Sequence, residues 1–220
     1  MFESIISVVA PHTCVGCGAE GAIVCEVCLL SFLHHPVSAC YRCKALSDDY
    51  ATCPTCRRKS SVKRVWVAAR YEGLGKELIR KYKFERACAA GKVLGKQLAD
   101  VILSDDYDVV CPIPPDSQRY RMRGYNPPGI IAKHVARQLK IPYAELLGKQ
   151  GHKRQVGQSA KKRRQQLANA FYSRHPRKIE NKKILLIDDV ISTGATLEAA
   201  AAVLDGAGAK RVEAAVFARP

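Results

Sequence analysis

No stretch of the chain carries about 18 consecutive apolar residues, so a membrane-spanning helix is not expected. The opening Met1-Phe2-Glu3-Ser4 lacks a charged start, and no small-residue cleavage site follows an apolar core. No signal peptide is therefore expected, and the cytosol is the expected compartment. There is no low-complexity tract and no repeat beyond paired cysteines. Nor is there a P-loop. Gly91-Lys-Val-Leu-Gly95-Lys96-Gln97 has three residues between its glycines, not four, and Gln97 where that motif needs Ser or Thr. Acidic residues are scarce where basic ones gather. Residues 149–183 carry twelve Lys/Arg against Glu180 alone, and residues 118–140 carry six against none. Residues 1–60 balance at five of each sign, so the net charge of +16 on this 220-residue chain lies wholly in 61–220. A field of that sign attracts polyanions such as nucleic acid, nucleotides and pyrophosphate. A solvated basic surface is the plainer alternative.

Cysteine, by contrast, is abundant and ordered. Eight of ten cysteines form four C-x-x-C pairs: Cys14/Cys17, Cys25/Cys28, Cys40/Cys43 and Cys53/Cys56, spaced by seven, eleven and nine residues. Each pair can point two sulfurs at one ion, and two pairs complete a tetrahedron. Two structural Zn²⁺ ions are predicted. A disulfide framework is the alternative, and the absence of an export signal argues against it. The spacing is not that of a ferredoxin-type iron–sulfur run. Sequential and cross-braced pairing both remain open. The intervening segments are too short to bury a core, so metal binding is expected to supply much of their folding energy. His12, His34 and His35 are read as surface residues rather than ligands.

The chain divides by composition. Residues 1–60 read as a double zinc-binding module, Arg58-Lys59-Ser60-Ser61 as a linker, and residues 61–220 as an α/β domain. Strands are expected at 65–71, 107–111, 183–187 and 211–218. Helices are expected at 73–84, 91–103, 128–139 and 196–204. Cys88 is placed on a helix and Cys111 at a strand end. Residues 149–165 show no apolar periodicity and read as a basic loop. Strands alternating with helices argue for a mainly parallel sheet covered on both faces.

At the end of the third strand stand two carboxylates, Asp188 and Asp189, where ligands of open α/β sheets bind. Ser192-Thr193-Gly194-Ala195-Thr196 follows as a tight turn into a helix. Backbone amides of such a turn, with the helix dipole, can cradle a phosphate. The acids can accept hydrogen bonds from vicinal ribose hydroxyls or hold Mg²⁺. An Asp-rich N-cap is the plain alternative.

This pattern resembles the phosphoribosyl pyrophosphate (PRPP) motif of type I phosphoribosyltransferases. The resemblance implies that Asp188 and Asp189 grip the ribose and act in catalysis, that residues 192–196 hold the 5′-phosphate, and that Mg²⁺ accompanies PRPP. Some relatives carry a general-base aspartate where Ser192 stands. Pro112, Ile113 and Pro114 resemble the pyrophosphate loop. Arg119, Arg121 and Arg123, with Tyr125 and the basic residues Lys153, Arg154, Lys161, Lys162 and Arg163, become candidates for pyrophosphate or a nucleic-acid backbone. Tyr120, Tyr172 and Phe171 lie among these charges, with Phe171 read as core.

The order of parts is similar to that of the ComF family of bacterial competence proteins over nearly the whole chain. The shared series is paired C-x-x-C, then Tyr71-Glu-Gly, P-I-P, Arg123-Gly124-Tyr125-Asn126, and D-D-V-I-S-T-G-A-T. Membership implies handling of single-stranded DNA in the cytoplasm beside a helicase-like ATPase, with active phosphoribosyl transfer to an unknown acceptor as the alternative. Pro127-Pro128 and Gln166 depart from the family pattern beside the expected site.

Overall fold

The computed structural model describes residues 12–33, 35–84, 88–103, 106–150 and 170–220. Lys153, Arg154, Lys161, Lys162, Arg163 and Gln166 lie outside them. Four parallel strands form the main sheet: β1 (Val62–Arg70), β2 (Val109–Pro112), β5 (Lys183–Val190) and β6 (Arg211–Arg219). Their order across it is β1-β6-β5-β2. These strands are aliphatic on both sides because both faces are covered. Along β5, Ile184 and Leu186 enter one core cluster while Leu185 and Ile187 enter the other. Helices α3 (Gly73–Phe84), α4 (Cys88–Asp100) and α6 (Pro127–Leu139) supply the first face with Leu78, Leu94, Leu98, Ile131 and Val135. Helix α7 (Ala195–Gly206) supplies the other with Leu197, Ala200, Ala201 and Leu204. No helix among the described residues is long and apolar enough to cross a membrane.

Several boundaries differ from expectation. Strand β5 runs to Val190, not Ile187, because Asp188 and Val190 continue the ladder with Val216 and Ala218 of β6. Asp188 and Asp189 thus belong to the strand. Leu147–Lys149 (β3) and Phe171–Ser173 (β4) pair as a short antiparallel ribbon, absent from the sequence reading. Three residues per strand leave no periodicity to detect. Phe171 is buried core, as expected.

The cysteine-rich part, with short helices α1 (Glu26–Phe32) and α2 (Pro54–Arg57), is packed onto the sheet rather than tethered to it. Cys14, Ile23, Val24, Cys28 and Leu33 share a core with Trp66 and Leu74, and Tyr41 joins the opposite core. Ala51 bridges antiparallel to Arg64, and Thr52 Oγ1 donates to the Val62 carbonyl at 2.8 Å, which covers the otherwise open edge of β1. Ser60, read as linker, is buried. Its hydroxyl donates to Glu198 at 2.6 Å, and the Ser61 amide reaches the same carboxylate at 3.3 Å. The polar character of this stretch serves a buried seam, not a free tether.

Candidate functional site

The four C-x-x-C pairs gather sequentially. Cys14, Cys17, Cys25 and Cys28 form one set and Cys40, Cys43, Cys53 and Cys56 the other, with the sulfurs of each set within 4.8 Å of one another. Four thiolates at about 2.3 Å from a common divalent ion would stand about 3.8 Å apart. Cys17 and Cys25 Sγ are 3.7 Å apart, and Cys43 and Cys53 Sγ are 3.6 Å apart. The Gly16 and Cys25 amides donate to Cys14 Sγ at 3.4 and 3.3 Å, holding that sulfur as a thiolate would be held. Burial works to raise the Cys14 pKa, but amide donors outweigh it and bring it down to about 6; Cys40 behaves alike. Burial and neighbouring sulfurs push Cys56 up to about 12 and Cys28 in the same direction. In each set one thiol is shifted toward ionisation and another away from it, and four sulfurs gathered this closely suit a shared cation. The sets therefore fit a metal ion each. His35 is not a ligand. Its Nδ1 lies 2.6 Å from the Ala68 carbonyl oxygen.

At the carboxyl end of β5 the two acids have different surroundings. Asp189 is buried, and Lys83 of α3 donates to its Oδ1 at 2.6 Å. Asp188, on the other side of the strand, accepts the Asp189 amide at 2.8 Å. Burial and the charge of Asp189 push its pKa up to about 7. Lys83 had no signal in the sequence, because 106 residues separate it from its partner.

The turn after them keeps its donors. Ser192 and Thr193 are exposed. Among the described residues, the amides of Ser192, Thr193 and Gly194 find no acceptor. Gly194 has φ 78°, a left-handed value that favours glycine. A Cβ there would also lie 2.6 Å from Cε2 of Tyr41. The arrangement presents unfilled N–H groups at a helix start, beside two carboxylates, and can hold an anion next to a polyol.

The loop at 112–114 behaves otherwise. Pro112, Pro114 and Pro115 have no amide hydrogen, and the Ile113 amide donates to the Ile187 carbonyl at 2.9 Å. Three of the loop residues 112–116 are prolines, and with the Ile113 amide taken only Asp116 keeps a backbone N–H for a leaving group, while the prolines form a wall. Pro112 and Pro114 line a cavity of 690 Å³ with Tyr120, Arg121, Lys133 and Arg174. Neither the Asp pair nor the 192–196 turn lines it. Arg119, Arg121 and Arg123 fall on helix α5 (Ser117–Arg123). Arg121 and Arg123, two positions apart on it, point about 200° apart and do not face one anion. Arg123 stacks on Phe84 at 5.3 Å. Tyr125 also lines that cavity, and its ring lies 5.8 Å from that of Tyr82, whose carbonyl accepts its hydroxyl. Pro127 and Pro128 open α6 at positions where an amide is dispensable.

A family model described as phosphoribosyl transferase domain matches residues 130–220, which include β5, the turn and α7. Competence protein F of Haemophilus influenzae is 32% identical over 115 residues, covering 51% of this chain and 50% of its own length. Competence protein ComFC of Streptococcus pneumoniae is 32% identical over 147 residues, covering 65% and 62%. The chain thus spans about half to under two thirds of these two relatives. ComFC of Bacillus subtilis is 25% identical over 190 residues, covering 75% and 77%. Among solved structures, a glutamine PRPP amidotransferase from B. subtilis is similar with TM-score 0.44 and 27% identity, over 59% of this chain and 26% of that one. A purine phosphoribosyltransferase from Pyrococcus horikoshii gives 0.34 and 17%, over 63% and 83%. The chain is thus similar over residues 130–220 to phosphoribosyl transferase domains, and over about half to three quarters of its length to proteins named competence protein F or ComFC.

Proposed function

We propose that the chain is a cytoplasmic competence protein that binds PRPP at the carboxyl end of β5 and handles single-stranded DNA. The observation that carries the reading is the set of three unfilled amides at 192–194 directly after the Asp188–Asp189 pair. The 5′-phosphate would take the amides and the hydroxyls of Ser192, Thr193 and Thr196, with Gly194 and Ala195 allowing close approach. The acids would accept from the ribose hydroxyls, and Mg²⁺ would arrive with the pyrophosphate. Residues 1–60 would hold two Zn²⁺ ions and residues 61–220 the PRPP site. The names of the curated relatives support the competence role, and the cations and rings gathered around the 690 Å³ cavity support the DNA role. A DNA-translocating helicase-like ATPase is the partner that this role calls for.

Two titrations test the reading. PRPP with Mg²⁺ should bind the native chain and lose affinity in Asp188→Ala/Asp189→Ala. A single-stranded oligonucleotide should bind with a logarithmic salt slope of about −0.7 per phosphate neutralised. No PRPP binding by the native chain ends the first half. Salt-independent or absent oligonucleotide binding ends the second.

Phosphoribosyl transfer is a second reading, favoured by the cavity adjoining Pro112. It has room for an acceptor next to the strand that pairs with β5. Pyrophosphate release with candidate acceptors measures it. Ser192 in place of a base permits an acceptor that needs little deprotonation, or one deprotonated by another base.

A further inference from the structure

One contact links the cysteine-rich part to the phosphate-type turn, and no sequence motif announces it. Tyr41 stands between Cys40 and Cys43, two members of the second four-cysteine set. It is 1% exposed. Its ring fills the space that a side chain on residue 194 would occupy, with Cε2 and Cδ2 at 2.6 and 2.7 Å from that Cβ position. Its hydroxyl lies 2.8 Å from Ser60 Oγ and donates to Glu198. Glu198 sits one helical turn beyond Gly194, and its amide donates to the Gly194 carbonyl at 2.9 Å. Arg42, next in the same knuckle, donates to Glu198 at 2.9 Å and to the Lys59 carbonyl at 2.7 Å. Two consecutive residues of the metal-type knuckle therefore grip both ends of the first turn of α7.

We infer that Tyr41 is a positioning residue for the 192–196 turn, and that the second four-cysteine set, through Tyr41 and Arg42, determines how well that turn holds a phosphate. The inference rests on the PRPP reading of that turn. The physical reason is local. Gly194 takes its positive φ freely, so what keeps this turn in one conformation, with unfilled amides beside it, is the packing around it. The ring of Tyr41 blocks collapse of the glycine toward the core, and Glu198 anchors the helix behind it. The first four-cysteine set makes no such contact among the described residues. Its buried members pack with Trp66 and Leu74 on the other face of the sheet. The two sets should accordingly differ in what they control.

The test is calorimetric titration of PRPP with Mg²⁺ into the full chain, alongside bound-metal content and thermal midpoint. Tyr41→Ala should bind about ten-fold more weakly, the scale of an ordinary coupling between sites. Tyr41→Phe, which keeps the ring, should recover most of that loss. Cys43→Ser should lose more affinity than Cys17→Ser, although each gives up a sulfur from its set. In a double-mutant cycle, Tyr41→Ala should cost less affinity on a Gly194→Ala background than on the native one. Native-like affinity in Tyr41→Ala, equal losses in the two cysteine variants, or an additive cycle would each overturn the inference while leaving the PRPP reading intact. Absence of PRPP binding by the native chain removes both. If Cys43→Ser cannot be purified folded, the Tyr41→Phe and Tyr41→Ala pair decides.

Discussion

Lys83 Nζ lies 2.6 Å from Asp189 Oδ1, so a helix from the first half of the chain neutralises one of the two acids that end β5. The side chains are 20% and 10% exposed. Adjacent like charges at a strand end are therefore tolerated by unequal means. Asp189 has a fixed cation, and burial with the neighbouring charge raises the Asp188 pKa to about 7.

The Lys83 pair yields a stability prediction. Lys83→Met leaves a buried carboxylate without its partner and should cost about 3 kcal/mol at neutral pH. Urea denaturation measures it. Lys83→Met/Asp189→Leu should regain most of the loss, because no buried charge remains; failure to regain any would show that the lysine acts by packing alone.

Asp188 makes stability depend on pH. Its folded pKa, raised to about 7, lies above the unfolded value near 3.8. Below about pH 4 both states carry the proton and nothing is lost. Between about pH 4 and pH 7 the unfolded chain releases the proton while the folded chain keeps it, so stability falls as pH rises; above pH 7 the handicap is constant. Asp188→Asn should thus stabilise the chain by about 2–4 kcal/mol at pH 8 and by little at pH 4. Denaturation midpoints at the two pH values check this. A gain of equal size at both would sink it.

The cysteine sets predict metal content. Chain purified without added metal should carry two zinc ions by elemental analysis, and one after Cys17→Ser/Cys25→Ser. Because Cys14, Cys28 and Cys40 are buried in the cores, chelation should lower the melting temperature of the whole chain and not only of residues 12–60. A melt in which β-sheet signal is indifferent to chelator would contradict that.

Tyr107 joins two buried partners. Trp66 Nε1 donates to its hydroxyl at 2.9 Å, and the hydroxyl donates to Glu213 Oε2 at 2.5 Å. Burial and the carboxylate push the phenol pKa up. Tyr107→Phe leaves an indole N–H and a buried carboxylate short of a partner and should cost about 1–3 kcal/mol. The chain's one tryptophan makes fluorescence-monitored unfolding the direct measurement.

Much of this architecture was legible from local spacing. The two four-cysteine sets, the aliphatic strand at 184–187 and the glycine turn into a helix are each contained within fewer than about 20 residues. Chemistry and period suffice to read such segments. Where the reading slipped, a partner elsewhere in the chain decided. The Ile113 amide was taken by Ile187, and the alternate arginines 119, 121 and 123 were wound onto a helix. The apparent linker at 60–61 found Glu198.

By itself, then, the sequence determined that this chain would carry thiol sets for metal, a parallel α/β sheet and an acidic strand end followed by an amide-rich turn. Each of those follows from residue types at short, fixed intervals. Only the tertiary structure decided that the cysteines pair sequentially, that Lys83 answers Asp189 and that Tyr41 stands against Gly194. Those meetings join residues up to about 150 positions apart. Such closures are selected by packing of the whole chain, since no local preference encodes which distant side chain will arrive.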